Sequence, residues 1–147
     1  MDDHHTDPLA SLLGYHLRRL SVAVMADLTN ALAPLNLKPT DASILFLTGA
    51  RPGLTQSELG RELGIQRANM APLIGALIRR GLIERSPVDG RSQSLHLTQK
   101  GETTRTQAWH ATQTHESRLF GTIPPTARAK LINQLQTIWH TAETSET

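Results

Sequence analysis

Gln66, Arg67 and Asn69 fall within four consecutive positions, at the head of a run in which Met70, Leu73, Ile74 and Leu77 recur at helical spacing. A carboxamide sets a donor beside an acceptor, and a guanidinium is a planar fork of donors. That chemistry suits the edges of nucleic-acid bases: Arg against guanine, Gln or Asn against adenine, each good bidentate contact worth about 1–3 kcal/mol of discrimination. Ala68 and Met70, in the same turn, offer apolar contact to thymine methyl groups. A helix start adds free amides and the positive end of the helix dipole, which favour phosphate. Thr55, Gln56 and Lys38, at other helix starts, are further candidates for phosphate contact. Taken singly, these residues read equally well as the solvated face of an amphipathic helix, so the reading rests on their setting.

Twenty-odd residues on, Pro87-Val88-Asp89-Gly90-Arg91 reads as a turn with a basic tip. Arg91 has the chemistry to enter a narrow A·T-rich minor groove. Asp89 is an unsuitable partner for DNA and reads as a brace that fixes Arg91 or Arg85 by an ion pair. Arg79 and Arg80 read as a solvated end of the preceding helix, where positive charge suits the dipole. The formal net charge is only +2, yet Arg51, Arg61, Arg67, Arg79, Arg80, Arg85, Arg91 and Lys100 crowd this region against Glu58, Glu62, Glu84 and Asp89. The basic surplus is local to the proposed DNA reader.

The elements that must position these groups follow from period and punctuation. Leu9, Leu12, Leu13, Leu17, Leu20, Val24, Leu28 and Leu32 form one helical stripe from Pro8, with Asp7 as its cap and Pro34 as its stop. Thr40 or Asp41 caps a second helix towards Ala50, and Pro52-Gly53 turns the chain. Thr55-Gln-Ser-Glu58 is a capping box that starts a third helix, ended by Gly64, with Ile65 plugging the turn. The fourth runs from Gln66 to Gly81, slightly bent at Pro72, with Gly75 allowing a close helix crossing. Residues 82–85 and 94–97 alternate as two strands, with Leu82, Leu95 and Leu97 among the inward positions. Thr98 caps a long Thr-rich helix, and a last helix after Pro124-Pro125 carries Leu131, Leu135, Ile138 and Trp139. The class is therefore mainly α with a small β-hairpin wing: a winged helix-turn-helix flanked by N- and C-terminal helices.

With no cysteine, disulfides and thiolate metal sites are excluded. His4 and His5 lie in a polar start, and His16, His110, His115 and His140 show no HxxxH spacing, so no metal and no cofactor is expected. No nucleophile elbow, acid–base set or phosphate-binding Gly-rich loop is present, which argues against an enzyme. No apolar run approaches the roughly 20 residues of a bilayer span, so no membrane partner and a cytoplasmic location are expected.

Pro52–Ile65 (PGLTQSELGRELGI), the run Leu77–Gly101 and the Asp89-Gly90-Arg91 wing within it together resemble the MarR family of bacterial transcriptional regulators. The resemblance spans nearly the whole chain. It implies an N-terminal dimerisation helix over 8–33, a winged helix-turn-helix over 40–101 and C-terminal dimerisation helices over 102–142, intertwined as one domain. It further implies a homodimeric repressor on a pseudo-palindromic operator in double-stranded DNA, nucleoid-associated when bound and released by a small phenolic or aromatic molecule. The effector would lie between the dimerisation helices and the winged unit, where His16, Arg19, Phe46, Trp109 and His110 offer cations or imidazoles beside flat apolar surface. Many relatives carry hydroxyl residues along the recognition helix; here stand Ala68, Met70, Ala71 and Pro72, which shifts base reading towards Arg67 and Asn69. The competing function is a winged-helix architectural or protein-interaction module without specific operator recognition.

Overall fold

The structure, a computed structural model, describes residues 7–89 and 93–145. In chain order these form α1 (Leu13–Leu32), α2 (Pro39–Ala50), α3 (Gln56–Leu63), α4 (Arg67–Arg79), β1 (Ile83–Pro87), β2 (Gln93–Leu97), α5 (Gln99–Phe120) and α6 (Pro125–Thr144), with a 3-10 turn at Ala33–Leu35. The chain divides into two compact units, Met1–His115 and Glu116–Thr147. Among the described residues no single helix is long and apolar enough to cross a membrane.

Asp7 does cap, but only an isolated turn: its Oδ1 accepts the Leu9 amide at 3.0 Å. Leu12 is extended, at φ −92° and ψ 107°, so the regular helix begins at Leu13 rather than at Pro8. The end of α1 precedes Pro34, and Asn36 reverses the chain at a φ of 53°. Pro39 occupies the first position of α2, where its missing N–H costs nothing. Asp41 caps this helix from inside, reaching back to accept the Lys38 amide at 2.9 Å, so neither it nor Thr40 is the residue at which the helix starts.

The box at α3 forms as its sequence requires. The Glu58 amide donates to Thr55 Oγ1 at 3.2 Å, and the Thr55 amide donates to Glu58 Oε2 at 2.8 Å. Those bonds from Thr55, backbone first and then side chain, hold the Glu58 carboxyl below the usual carboxylate range. A carboxylate whose folded pKa is depressed contributes stability that is present above its unfolded pKa and is lost as pH falls through the folded value. Glu58→Gln keeps the shape and removes the charge. The Tm advantage of the wild type over this variant is therefore expected at neutral pH and should shrink as the buffer is acidified below about pH 4. A gap that stays constant across an acid titration would exclude Glu58 as a source of acid sensitivity.

Between α3 and α4, Gly64 takes a φ of 64° and the Ile65 amide returns to the Gly60 carbonyl at 2.9 Å. The close packing here falls on Gly60, where a Cβ would come 3.0 Å from Met70 Cγ and 3.2 Å from the Ile65 carbonyl. Gly75 has no such role: an added Cβ would approach only Arg79 Nη1 of its own helix. Pro72 sits inside α4, which continues through it as one helix.

Leu32, Ile44, Leu45, Leu59, Met70, Ile74, Leu77, Leu82, Ile83 and Leu95 form one buried cluster, joined by Ala108 of α5. Thr48 of α2 is wholly buried among them, and its Oγ1 has no hydrogen-bond partner among the described residues. A buried hydroxyl without a partner is costly, and valine has nearly the same shape. Thr48→Val is expected to raise stability by about 1 kcal/mol, read as a higher denaturation midpoint; a lower midpoint would show that the hydroxyl is satisfied.

The hairpin is antiparallel, with Ile83 opposite Leu97 and Pro87 opposite Gln93. Its first strand starts one residue after Leu82, whose carbonyl instead accepts the Thr98 amide at 3.1 Å. A segment that sequence reading placed in a turn runs beside β2: the Leu95 amide donates to Leu54 O at 2.9 Å, the Gly53 amide to Leu95 O at 3.1 Å, and Thr55 bridges Ser94. These bonds lock the hairpin to the start of α3. Thr98 starts α5, its hydroxyl accepting the Gly101 amide at 3.0 Å and donating to Gly81 O.

In the second unit, α6 buries no residue completely, and Leu131, Ile132, Ile138 and Trp139 are exposed. Leu12, Leu13, Leu20, Val22 and Met25 of the first unit are exposed as well.

Candidate nucleic-acid interface

Gln66 is the residue from which α4 starts, at φ −61° and ψ 144°, and its carboxamide makes no capping bond. Arg67, Ala68 and Asn69 follow in the first turn and are all exposed, as are Ala71 and Pro72. Met70 departs from the expectation. It is 1% exposed and belongs to the core with Ile74 and Leu77, because steps of four and three from it define the buried face of the helix. A thymine contact through Met70 is therefore withdrawn.

A concavity of about 260 Å³ opens between α3 and the first turn of α4, lined by Gln56, Ser57, Gly60, Arg61, Ile65, Arg67 and Met70. Ser57 was not singled out from sequence, and Arg61 was named only within the local basic surplus; the signal for both was the helical spacing that puts positions 57 and 61 on the face of α3 next to Gly60. Two guanidiniums around a shallow recess suit an anionic strand.

Thr55 is spent on its cap, and Gln56 serves the wing. Arg85 of β1 donates to Gln56 Oε1 and to Gln93 Oε1, both at 3.4 Å, so one guanidinium ties the hairpin to the first residue of α3. Because Arg only donates, both carboxamides must present oxygen to it. Arg91 lies outside the described residues; Asp89 is exposed after β1. Lys38 is exposed at the start of α2. Arg80 is not a solvated helix end: its Nη2 donates to Leu35 O at 3.4 Å, and Lys100 Nζ donates to the Arg80 carbonyl at 3.0 Å.

Of the residues read as effector lining, Phe46 and Trp109 come together, ring centres 5.0 Å apart and planes at 88°. His16 and Arg19 are engaged locally. His16 Nε2 bonds the Ala10 carbonyl at 2.8 Å, Arg19 Nη1 donates to the Tyr15 hydroxyl at 3.3 Å, and His110 is exposed. Sequence reading missed a pairing of His115 Nδ1 with Asp27 Oδ2 at 2.5 Å. Asp27 stands three residues after Val24 in the apolar stripe of α1, and a carboxylate at such a position was the available signal. Among the described residues no group of three or more His, Cys, Asp or Glu is placed to hold a metal ion.

A capped helix, a left-handed turn, a second helix with polar residues exposed at its start and a hairpin bonded back to the first helix define a winged helix-turn-helix, a class of DNA-binding protein. The MarR family model matches residues 35–92. The transcriptional repressor CouR, solved on a 23-mer DNA duplex, is 38% identical, with a TM-score of 0.85 covering 93% of this chain and 99% of that one. CouR solved with p-coumaroyl-CoA gives 36% identity and a TM-score of 0.81 over 92% of this chain and 97% of that one. A curated relative, the putative transcriptional regulatory protein for the hcr operon of Thauera aromatica, is 27% identical over 134 residues, 89% of this chain and 81% of its own length. The chain belongs to the MarR family and is a DNA-binding transcriptional regulator. A winged-helix module without operator recognition does not fit these relatives.

Proposed function

We propose that the protein is a homodimeric repressor that sits on a pseudo-palindromic operator and leaves it on binding an aromatic acid or its CoA thioester. The observation that carries the DNA half is the exposed first turn of α4, Gln66 to Asn69, beside a recess edged by Arg61 and Arg67. Gln66, Arg67 and Asn69 read bases, with Ala68 against thymine methyl groups; Arg61, and Gln56 through its remaining amide, serve phosphate. Arg91 enters the minor groove and Asp89 braces it. The exposed apolar residues of α1 and α6 support dimerisation, since faces of that kind are buried in a partner. The ligand half is supported by the likeness to CouR, solved both on DNA and with p-coumaroyl-CoA. The protein has no catalytic role and works in the cytoplasm.

Only a ligand that prefers the DNA-incompetent arrangement can release the operator. The test titrates p-coumaroyl-CoA and a panel of aromatic acids into the protein–operator complex while following fluorescence anisotropy. Release by at least one compound, at concentrations that also raise Tm, is expected. Binding without release would remove the ligand from the mechanism, and absence of both would remove the ligand altogether.

A further inference from the structure

Pro72 stands well inside α4, beyond the first turn in which a helix tolerates proline. In a helix interior no residue is more destabilising. Packing does not offset that cost, because Pro72 is exposed and takes no part in the buried cluster. A residue that breaks a local rule at the surface without a structural gain marks a functional position.

Its place around the helix indicates the function. The buried face of α4 is Met70, Ile74 and Leu77, and at about 100° per residue the positions half a turn away are Ala68, Pro72 and Arg79. All three are exposed. Arg79 makes no hydrogen bond or ion pair among the described residues, and it folds back along this face, its Nη1 3.3 Å from where a Cβ on Gly75 would stand. The outermost line of α4 thus carries an uncommitted cation, which suits a surface laid against a polyanion. On the same line the helical ladder is interrupted. Proline has no N–H, so residue 72 cannot donate to the carbonyl four residues back, that of Ala68. A backbone acceptor without its helical donor therefore lies beside an apolar ring.

We propose that Pro72 is a specificity-determining residue that reads an A·T pair in the major groove: the Ala68 carbonyl accepts from the adenine N6 amino group, and the Pro72 ring lies against the thymine methyl. The inference rests on the reading of α4 as the helix that enters the groove. An A·T pair presents amino donor and methyl together there, whereas the amino group of a G·C pair has no methyl beside it. The missing N–H is then the source of the specificity. Any other residue at position 72 returns the Ala68 carbonyl to the helix.

Fluorescence anisotropy with the full chain tests this on the palindromic duplex near its own promoter, altered one base at a time. Deoxyuridine for thymidine removes only the methyl, and purine deoxyriboside for deoxyadenosine removes only the amino group. The wild type is expected to lose about 3- to 10-fold in affinity to each change at one and the same base pair of a half-site. In Pro72→Ala, which restores the N–H and removes the ring, both losses should fall below about twofold. In Pro72→Val, which restores the N–H but keeps an apolar branch, the methyl effect should remain and the amino effect should vanish. Both variants should show a raised denaturation midpoint, since a proline has left a helix interior. If no base pair is sensitive to both analogues in the wild type, or if Pro72→Ala keeps the same sensitivity, the proposal is overturned while the operator reading stands. A wild type that binds the palindrome no better than a scrambled duplex removes both.

Discussion

Gly101→Ala is expected to destabilise the protein by about 3 kcal/mol or more, enough to lower the folded-to-unfolded ratio by about 100-fold. A Cβ at this position would be driven into the Leu82 carbonyl, with the rest of the Leu82 backbone close behind. A flexible side chain would yield, but this carbonyl is fixed by the Thr98 amide, and Thr98 is fixed in turn by Gly81 and by the Gly101 amide. The first turn of α5 is thus stacked directly on the backbone leading into β1. Gly14→Ala is the matched control, since nothing lies within 4 Å of its added Cβ in α1. It should gain about 0.5–1 kcal/mol from helix propensity. Denaturant midpoints of the two variants check the pair, and similar midpoints would mean that the contact at Leu82 is slack.

The second large effect is on DNA. Arg67→Ala is expected to weaken operator binding by about 10- to 100-fold, the worth of one bidentate base contact. Arg67 is exposed in the first turn of α4 and takes no part in the buried cluster, so stability should hardly change. Salt dependence separates base from phosphate. A base contact lowers affinity for the operator while leaving the salt slope nearly unchanged, whereas loss of a phosphate contact weakens all duplexes alike and reduces the slope by about 1. Unaltered operator affinity would move base reading away from this turn.

The parts of the fold that sequence reading recovered are those fixed by neighbours in the chain. Thr55 with Glu58, Gly64 with its left-handed turn and Thr98 at the head of α5 each depend on residues three or four positions apart, and each appears as expected. Helical period separated Met70, Ile74 and Leu77 from Arg67 and Asn69, and the burial of Met70 against Gly60 follows that period and removes the base contact that was also expected of it. Period likewise locates glycines without saying what crosses them, so the close approach expected at Gly75 occurs at Gly60.

Long-range pairings were not legible. The bonding of Leu54 with Leu95 joins residues about forty positions apart, and Asp27 meets His115 across 88. Nothing in either local sequence announces its partner; at most, a carboxylate within an apolar stripe signals that one exists. The effector lining suffered for the same reason. Phe46 and Trp109 meet because α2 and α5 cross, whereas His16 and Arg19 find partners within their own stretch of chain.

The account stands most directly on one ratio, the affinity for the palindrome near the protein's own promoter over that for a scrambled duplex, measured at physiological salt for the wild type and for Asn69→Ala. Sequence-specific reading by the first turn of α4 predicts a wild-type ratio of about 10³ or more that falls by about tenfold or more in Asn69→Ala. A wild-type ratio near one, or a high ratio that Asn69→Ala leaves untouched, would contradict it.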